Sequence, residues 1–257
     1  KYMAVKIAER AGVPAPSTIA LDPPEFGEAL SILKERGLRP PLVVKPRKVG
    51  GRVEYAWRSG DLKRALSKFS SSVVVQEYIP GEDYGFFAVA DRGEILAVFV
   101  HRRIRTYPPS GGASSCAEST FSREVISQGL KITAELEWSG AIMVEFRRDM
   151  RDGLYKLIEI NPKLWGSLEL GISSGVEFPF VIYSAVSKER STPKSGYRLG
   201  VKFQWPLPYD LLHAVENPKS ALAVLRDLLD PRVLNDIERD DLRPAAIQTI
   251  FTLSKLF

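Results

Sequence analysis

The sequence predicts an α+β protein, or an α/β one, folded as two subdomains that meet near Pro80. Three observations lead there. Short β-type runs at 42–45, 73–77, 85–90 and 94–101 are interleaved with stretches of helical period. The order changes at Pro80-Gly81, from alternating helix and strand to hairpins. The 257 residues, 44% hydrophobic and 26% charged, suffice for one large domain or two sharing a cleft.

Residues 2–11 read as a helix stopped by Gly12, and Val13-Pro14-Ala15-Pro16 as an extended connector. Pro24 opens a second helix through Phe26, Ala29, Leu30 and Leu33, ending at Gly37. Strands at 42–45 and 53–57 flank a Gly50-Gly51 turn. Asp61 caps a helix carrying Leu62, Ala65, Leu66 and Phe69, and 73–77 returns as a strand. Residues 85–90 and 94–101 form a hairpin across Asp91-Arg92-Gly93. Residues 107–118, rich in Pro, Gly and Ser, are expected to be a loop. A helix over 121–138 precedes a second hairpin, 141–147 with 154–160, and 176–188 is helical. Beyond about residue 197 come one strand, 201–205, and two or three helices broken at Asp230-Pro231.

A net charge of +5 suits anionic small molecules and does not require nucleic acid, and no basic–aromatic stacking platform is visible. No apolar run reaches the roughly 18–20 residues of a membrane span. The lone Cys116 forms no internal disulfide, so a reducing, cytoplasmic setting is expected. The chain opens Lys1-Tyr2-Met3 without an initiator methionine, which reads as a piece of a longer protein.

The hairpin 141–160 is the most informative stretch. Alternation puts Ile142, Val144, Phe146, Ile158 and Ile160 on a core face, and Met143, Glu145, Arg147, Leu157, Glu159 and Asn161 on the other. If Arg148 pairs with Leu154, Glu145 lies diagonal to Glu159, about 7–8 Å away at Cα. Two carboxylates and an amide oxygen on one face repel without a cation between them, and hard oxygens suit Mg²⁺ or Mn²⁺. The other reading is a solvated acidic face. Lys45 ends a strand and feeds Pro46-Arg47-Lys48-Val49-Gly50-Gly51-Arg52, a plausible phosphate cradle without Walker or dinucleotide spacing, or else a basic surface loop. Gln76-Glu77-Tyr78-Ile79-Pro80 can offer groups to an adenine edge, with Asp83 near a ribose, or serve as a plain linker. His101-Arg102-Arg103 with the 110–115 loop suits an acyl-phosphate or carboxylate, or is a solvated basic strand. Cys116 is taken as structural, and Trp205 and Trp138 as core.

These segments, in this order, resemble the ATP-grasp superfamily, and among its members proteins similar to the carbamoyl-phosphate synthase large subunit and predicted ATP-dependent carboligases. The likeness covers about residues 1–190 and rests on Leu42-Val43-Val44-Lys45-Pro46 with Gly50-Gly51, Gln76-Glu77-Tyr78-Ile79-Pro80-Gly81, and Ile158-Glu159-Ile160-Asn161-Pro162-Lys163. The resemblance implies an N-terminal lobe over 1–80, a C-terminal lobe with the metal site over 81–193, and a mainly helical extension over 194–257. The two lobes grip a nucleotide cleft. It implies ATP phosphates on Lys1, Lys45 and the Gly50-Gly51 loop, and adenine contacts from Gln76, Glu77 and Ile79. Asp83 would hold the ribose, with Glu82 as rival. Mg²⁺ or Mn²⁺ would sit on Glu145, Glu159 and Asn161, and Lys163 would steady the transferred phosphate, with lysine where arginine is commoner. Arg102 and Arg103 are the expected acyl-phosphate or carboxylate contacts. The implied activity is an ADP-forming ligase joining small-molecule carboxylate (or bicarbonate) and amine substrates. The alternatives are a regulatory or inactive nucleotide-binding module, and a kinase-like phosphotransferase. Upstream sequence of the same protein and self-association are the further partners admitted.

Overall fold

The computed structural model describes residues 1–48, 51, 53–187, 196–238 and 240–256. Gly50 of the predicted phosphate turn lies outside the described residues. In chain order the elements are α1 (Tyr2–Ala11), β1 (Thr18–Leu21), α2 (Phe26–Glu35), β2 (Leu42–Pro46), β3 (Glu54–Ala56), α3 (Asp61–Leu66) and β4 (Val73–Glu77). There follow β5 (Gly81–Asp91), β6 (Glu94–Tyr107), β7 (Ala113–Ser119), α4 (Arg123–Glu135), β8 (Gly140–Asp149), β9 (Tyr155–Asn161), α5 (Leu168–Ser173) and α6 (Phe178–Ser187). The last are β10 (Lys202–Gln204), α7 (Leu211–Glu216), α8 (Ala221–Leu229), β11 (Val233–Asn235) and α9 (Arg243–Leu256).

The first four strands form an antiparallel sheet in the order β1-β4-β2-β3. Alternation sorts its residues: Leu42, Val44, Val73 and Val75 pack under α2 and α3 with Ala29, Leu33, Leu62 and Leu66, which leaves Val43, Lys45 and Gln76 on the other face. The second sheet runs β11-β10-β7-β6-β5-β8-β9. Both of its faces carry helices, so Tyr84–Ala90 reads as an unbroken buried run. Phe86, Ala88, Val144 and Phe146 face α1 and α4, while Phe87, Val89 and Phe99 face the α5–α6 side. Helix α1 therefore packs on the larger sheet, although its sequence precedes the smaller one. Helix α4 is set by the Ser122 cap, whose Oγ accepts from Val125 N, and by Val125, Gly129, Ile132 and Thr133 on one face. The β5–β6 hairpin turns on Arg92 and Gly93, both with φ positive (46° and 84°), as a two-residue loop of the primed type requires.

Several expectations change. The 107–118 loop is half strand: β7 is inserted between β6 and β10. Its Ser-Ser-Cys-Ala run has no alternation to announce it, and pairing on both sides makes the strand. The strand β1 follows the extended connector, and both it and α5 are additional to the expected elements. The extension contributes β10 and β11 to the large sheet's edge, with α7 and α8 between them in the chain. Asp210 and Asp227 of that extension pair with Arg105 at 2.7 Å each, and Asp227 also takes Lys202 at 2.6 Å, which pins the extension to β6.

Between the sheets the chain turns at Gly81, φ 152°, where a Cβ would stand 1.8 Å from the Arg148 carbonyl oxygen. Beside it the fully buried Asp149 accepts from Arg151 and from Lys156 Nζ at 2.7 Å, and Arg151 reaches on to Glu77 at 2.6 Å. The end of β4 is thereby tied to the β8–β9 turn. Among the described residues no helix is long and apolar enough to cross a membrane.

Candidate functional site

The face of the small sheet turned away from α2 and α3 looks onto the large sheet across a cavity of about 720 Å³. On β2 the residues alternating with Leu42 and Val44 are Val43 and Lys45, and both line it. Lys45 is 7% exposed, and its side chain has no hydrogen bond or ion pair among the described residues. Burial pushes its pKa down to about 8, and the carboxylates of Glu159 and Glu145 only partly offset this. Lys1 lines the same end. Gly51 borders the cavity with φ 89°, and a Cβ there would come within 2.7 Å of Pro46 Cγ.

At the hinge, Gln76 donates from Nε2 to Thr18 Oγ1 at 2.8 Å, which fixes the amide and turns its oxygen away from Thr18. Glu77 lines the cavity, but its backbone N–H is taken by Ser17 O and its carboxylate by Arg151. Among the described residues the Ile79 N–H has no acceptor, while its carbonyl takes Arg147 at 3.4 Å. The hinge can therefore present one amide oxygen and one backbone donor to a planar heterocycle.

Opposite lies the β8–β9 hairpin. Glu145 and Glu159 are direct cross-strand partners, not diagonal ones, and Arg148 pairs with Tyr155. A bulge at Ile158 causes the difference: two residues of β9 oppose one of β8, so Leu157 turns into the core and Ile158 joins the cavity wall. Glu159 and Asn161 keep their predicted face. Asn161 donates from Nδ2 to Glu145 Oε1 at 3.2 Å, and Arg103 Nη2 meets Glu145 Oε2 at 3.1 Å. Burial raises the Glu145 pKa against the pull of that guanidinium. Lys163 also lines the cavity. Among the described residues no three His, Cys, Asp or Glu side chains cluster as a metal site. The set here is two carboxylates plus the Asn161 amide, whose nitrogen serves Glu145 and whose oxygen has no donor among the described residues.

Three predicted residues stand differently. Asp83 lines the cavity but holds Arg147 in a bidentate pair, 2.6 and 2.8 Å. Burial weighs against the Arg147 charge, and Asp83 outweighs it. A carboxylate keeps lone pairs beyond two such bonds, so Asp83 can still accept from a hydroxyl. Its rival Glu82 borders a second cavity and pairs with Arg102 at 3.0 Å. Arg102 also meets Glu118 there and does not reach the first cavity. Strand alternation carried that signal, because Arg102 shares a face with the core residue Val100, and Arg103 with His101.

Some lining residues were not foreseen. Arg147 was placed on the correct face without a role. Tyr55 on β3 donates to Ser110 O at 2.9 Å, bridging the two sheets. Ser167 bonds the buried His101 ring at 2.8 Å. Trp165, Trp205 and Tyr209 reach the cavity, the last two from the extension. Cys116 is buried in β7 with its thiol pushed up to about 12 by burial, as fits a structural residue.

Residues 69–205 match the family described as ATP-grasp in the biosynthetic pathway with Ter operon. A comparison with curated protein sequences finds no match. Among solved structures, an ADP complex of N5-carboxyaminoimidazole ribonucleotide synthetase superposes with TM-score 0.67 at 16% identity, over 88% of this chain and 59% of that one. A biotin carboxylase–ATP-analogue complex from Campylobacter jejuni gives 0.61 at 17% identity, over 77% and 48%. D-alanine–D-alanine ligase from Bacillus anthracis complexed with ATP gives 0.53 at 22% identity, over 74% and 68%. Such identities show a shared fold. The chain spans 59% of the first of these relatives and 48% of the second, short of their full length.

Proposed function

Because the chain belongs to the family described as ATP-grasp in the biosynthetic pathway with Ter operon, we propose that it is an ATP- and Mg²⁺-dependent, ADP-forming ligase of a carboxylate (or bicarbonate) and an amine. One observation carries the reading: a buried lysine without an ion-pair partner among the described residues, Lys45, lines one cavity with Glu145, Glu159 and Asn161. That lysine fits an anionic ligand, which would restore its charge, and the hard-oxygen set fits Mg²⁺.

Bound ATP would supply the phosphoryl group that turns a carboxylate into an acyl-phosphate, from which an attacking amine displaces phosphate. Lys45 and Lys1 would hold the phosphates, and Gln76 Oε1 with the Ile79 N–H would orient the base. Asp83, stiffened by Arg147, would accept from the ribose. Glu145, Glu159 and the Asn161 oxygen would hold Mg²⁺, and Lys163 and Arg103 would stabilise charge on the transferred group and the carboxylate. Little proton transfer is needed in the first step, so positioning and charge neutralisation are the chain's contribution. Arg102 has no part in this arrangement. A cytoplasmic location and the participation of upstream sequence or a second copy belong to the same proposal.

The test is Glu159→Ala, with Mg-ADP binding and ADP release both measured over a pool of carboxylates and amines. Wild type should bind nucleotide and release ADP and free phosphate only with a productive pair, and the variant should lose at least a hundredfold in turnover. Binding without release under every pair would replace the ligase with a nucleotide-binding module. Phosphate retained on the product would make it a phosphotransferase.

A further inference from the structure

The cavity continues past the carboxylate hairpin. Arg103 touches Glu145 on one side and, through Nη1, the Gly112 carbonyl on the other at 3.3 Å. The same cavity is lined by Pro108, Met143, Trp165, Trp205 and Tyr209, with Tyr209 stacked on Tyr107 at one end of that loop and Trp205 N bonded to Ser115 O at the other. Resting on the ligase reading above, we propose that this end of the crevice binds the carboxylate substrate, and that the substrate is an aryl-bearing carboxylic acid: its carboxylate on Arg103, its ring among Trp165, Trp205 and Tyr209.

The wall is built, not incidental. Trp205 and Tyr209 sit on the turn 205–210 of the extension, and the fully buried Asp210 clamps that turn. Its carboxylate accepts from Arg105 Nε at 2.9 Å and Nη2 at 2.7 Å, from Ser115 Oγ at 2.8 Å and from Gln204 Nε2 at 2.7 Å. Trp205 N also donates to Ser115 O at 2.9 Å. Burying a carboxylate with this many donors holds the aromatic residues in one arrangement, as a binding site requires. Tyr209 stays 41% exposed while stacking on Tyr107 at 6.1 Å, so part of its ring remains available. Trp165 packs against Phe87 at 4.6 Å, which fixes its orientation. Edge and face contacts with a planar guest are worth more than area alone.

The polar end is equally specific. Of the five donors of a guanidinium, Arg103 uses two among the described residues, on Glu145 and Gly112, which leaves a second N–H on each of Nη1 and Nη2. Donors therefore remain for a carboxylate beside the carboxylate hairpin. The extension thus acquires a role: it supplies one wall of the substrate subsite and sets its shape.

The experiment is calorimetric titration of the full chain with phenylacetate, cyclohexylacetate and acetate, with and without saturating Mg-ADP. Phenylacetate should bind at least tenfold more tightly than acetate and at least threefold more tightly than cyclohexylacetate. Tyr209→Ala, at a half-exposed position that tolerates truncation, should remove the aromatic preference, and Tyr209→Phe should retain it. Trp205→Ala, checked by thermal melting, should do the same as Tyr209→Ala. Equal affinity for the three acids in both conditions, or a preference that survives both alanine variants, overturns the inference. Mg-ADP binding without aromatic preference sinks this inference alone, whereas aromatic preference without Mg-ADP binding sinks the ligase reading.

Discussion

Replacing Lys45 by methionine should make the protein more stable and impair its hold on a nucleotide. The lysine is 7% exposed and lies in a cavity wall with no ion-pair partner among the described residues. Burial pushes its pKa from the ordinary 10.5 down to about 8, with Glu159 and Glu145 already pulling the other way. At about 1.4 kcal/mol per tenfold, the gap corresponds to about 3 kcal/mol of strain carried by the charged side chain in the folded state. Between pH 8 and 10.5 the unfolded chain holds more protons than the folded one, so stability rises with pH there. The penalty is full below pH 8 and gone above 10.5. Methionine is of similar length and apolar, so at neutral pH it should recover most of that energy, a melting temperature higher by about 5–10 °C for a chain of this size. The assay is thermal melting of both proteins from pH 7 to pH 10, paired with Mg-ADP titration. The variant's advantage should shrink toward pH 10, and wild-type nucleotide affinity should fall above pH 8. A variant that melts at or below wild type at pH 7, or a wild-type slope that persists unchanged in Lys45→Met, refutes the reasoning.

Two further outcomes are expected. Asp149→Ala removes the acceptor of Arg151 and Lys156 at the hinge and should cost about 3 kcal/mol, read as a lower urea midpoint with unchanged slope. Hydrogen bonds from Arg151, then Lys156, hold this carboxyl far below the usual range, so its contribution is present at neutral pH and is lost only as acid takes the solution below pH ~4. In Glu145→Gln, Mn²⁺ affinity in the presence of ADP, followed by the spin resonance of the free ion, should fall at least tenfold. Because burial raises the Glu145 pKa, the wild-type metal affinity should begin to fail at a higher pH than an ordinary carboxylate site would.

Much of the site was legible because strand alternation is a local rule. Lys45 at the end of an apolar strand, and Glu145, Glu159 and Asn161 on one face of a hairpin, follow from a period of two and from the core's demand for the intervening residues. Arg102 and Arg103 were legible too, and the same rule separates them. The bulge at Ile158 was not: it reverses the faces of Leu157 and Ile158 and brings Glu145 opposite Glu159, and a bulge is fixed by how β9 pairs, which no nearby residue type announces. The strand at Ala113–Ser119 was hidden for the same reason, since partners on both sides supply what its small residues lack.

The sequence alone determined the change of pattern at Pro80-Gly81, where one sheet gives way to the next, and the lysine and carboxylates that line the crevice, because hydrophobic period and turn chemistry act within a few residues. Tertiary structure decided which of those charges are committed and which are open. Asp83 is engaged by Arg147, Glu77 by Arg151 and Arg102 by Glu82, while the buried Lys45 has no ion-pair partner among the described residues. It also brought Trp205 and Tyr209, more than a hundred residues from Lys45, onto the same cavity. Burial and long-range pairing set electrostatics and cavity walls, and both depend on residues distant in the chain.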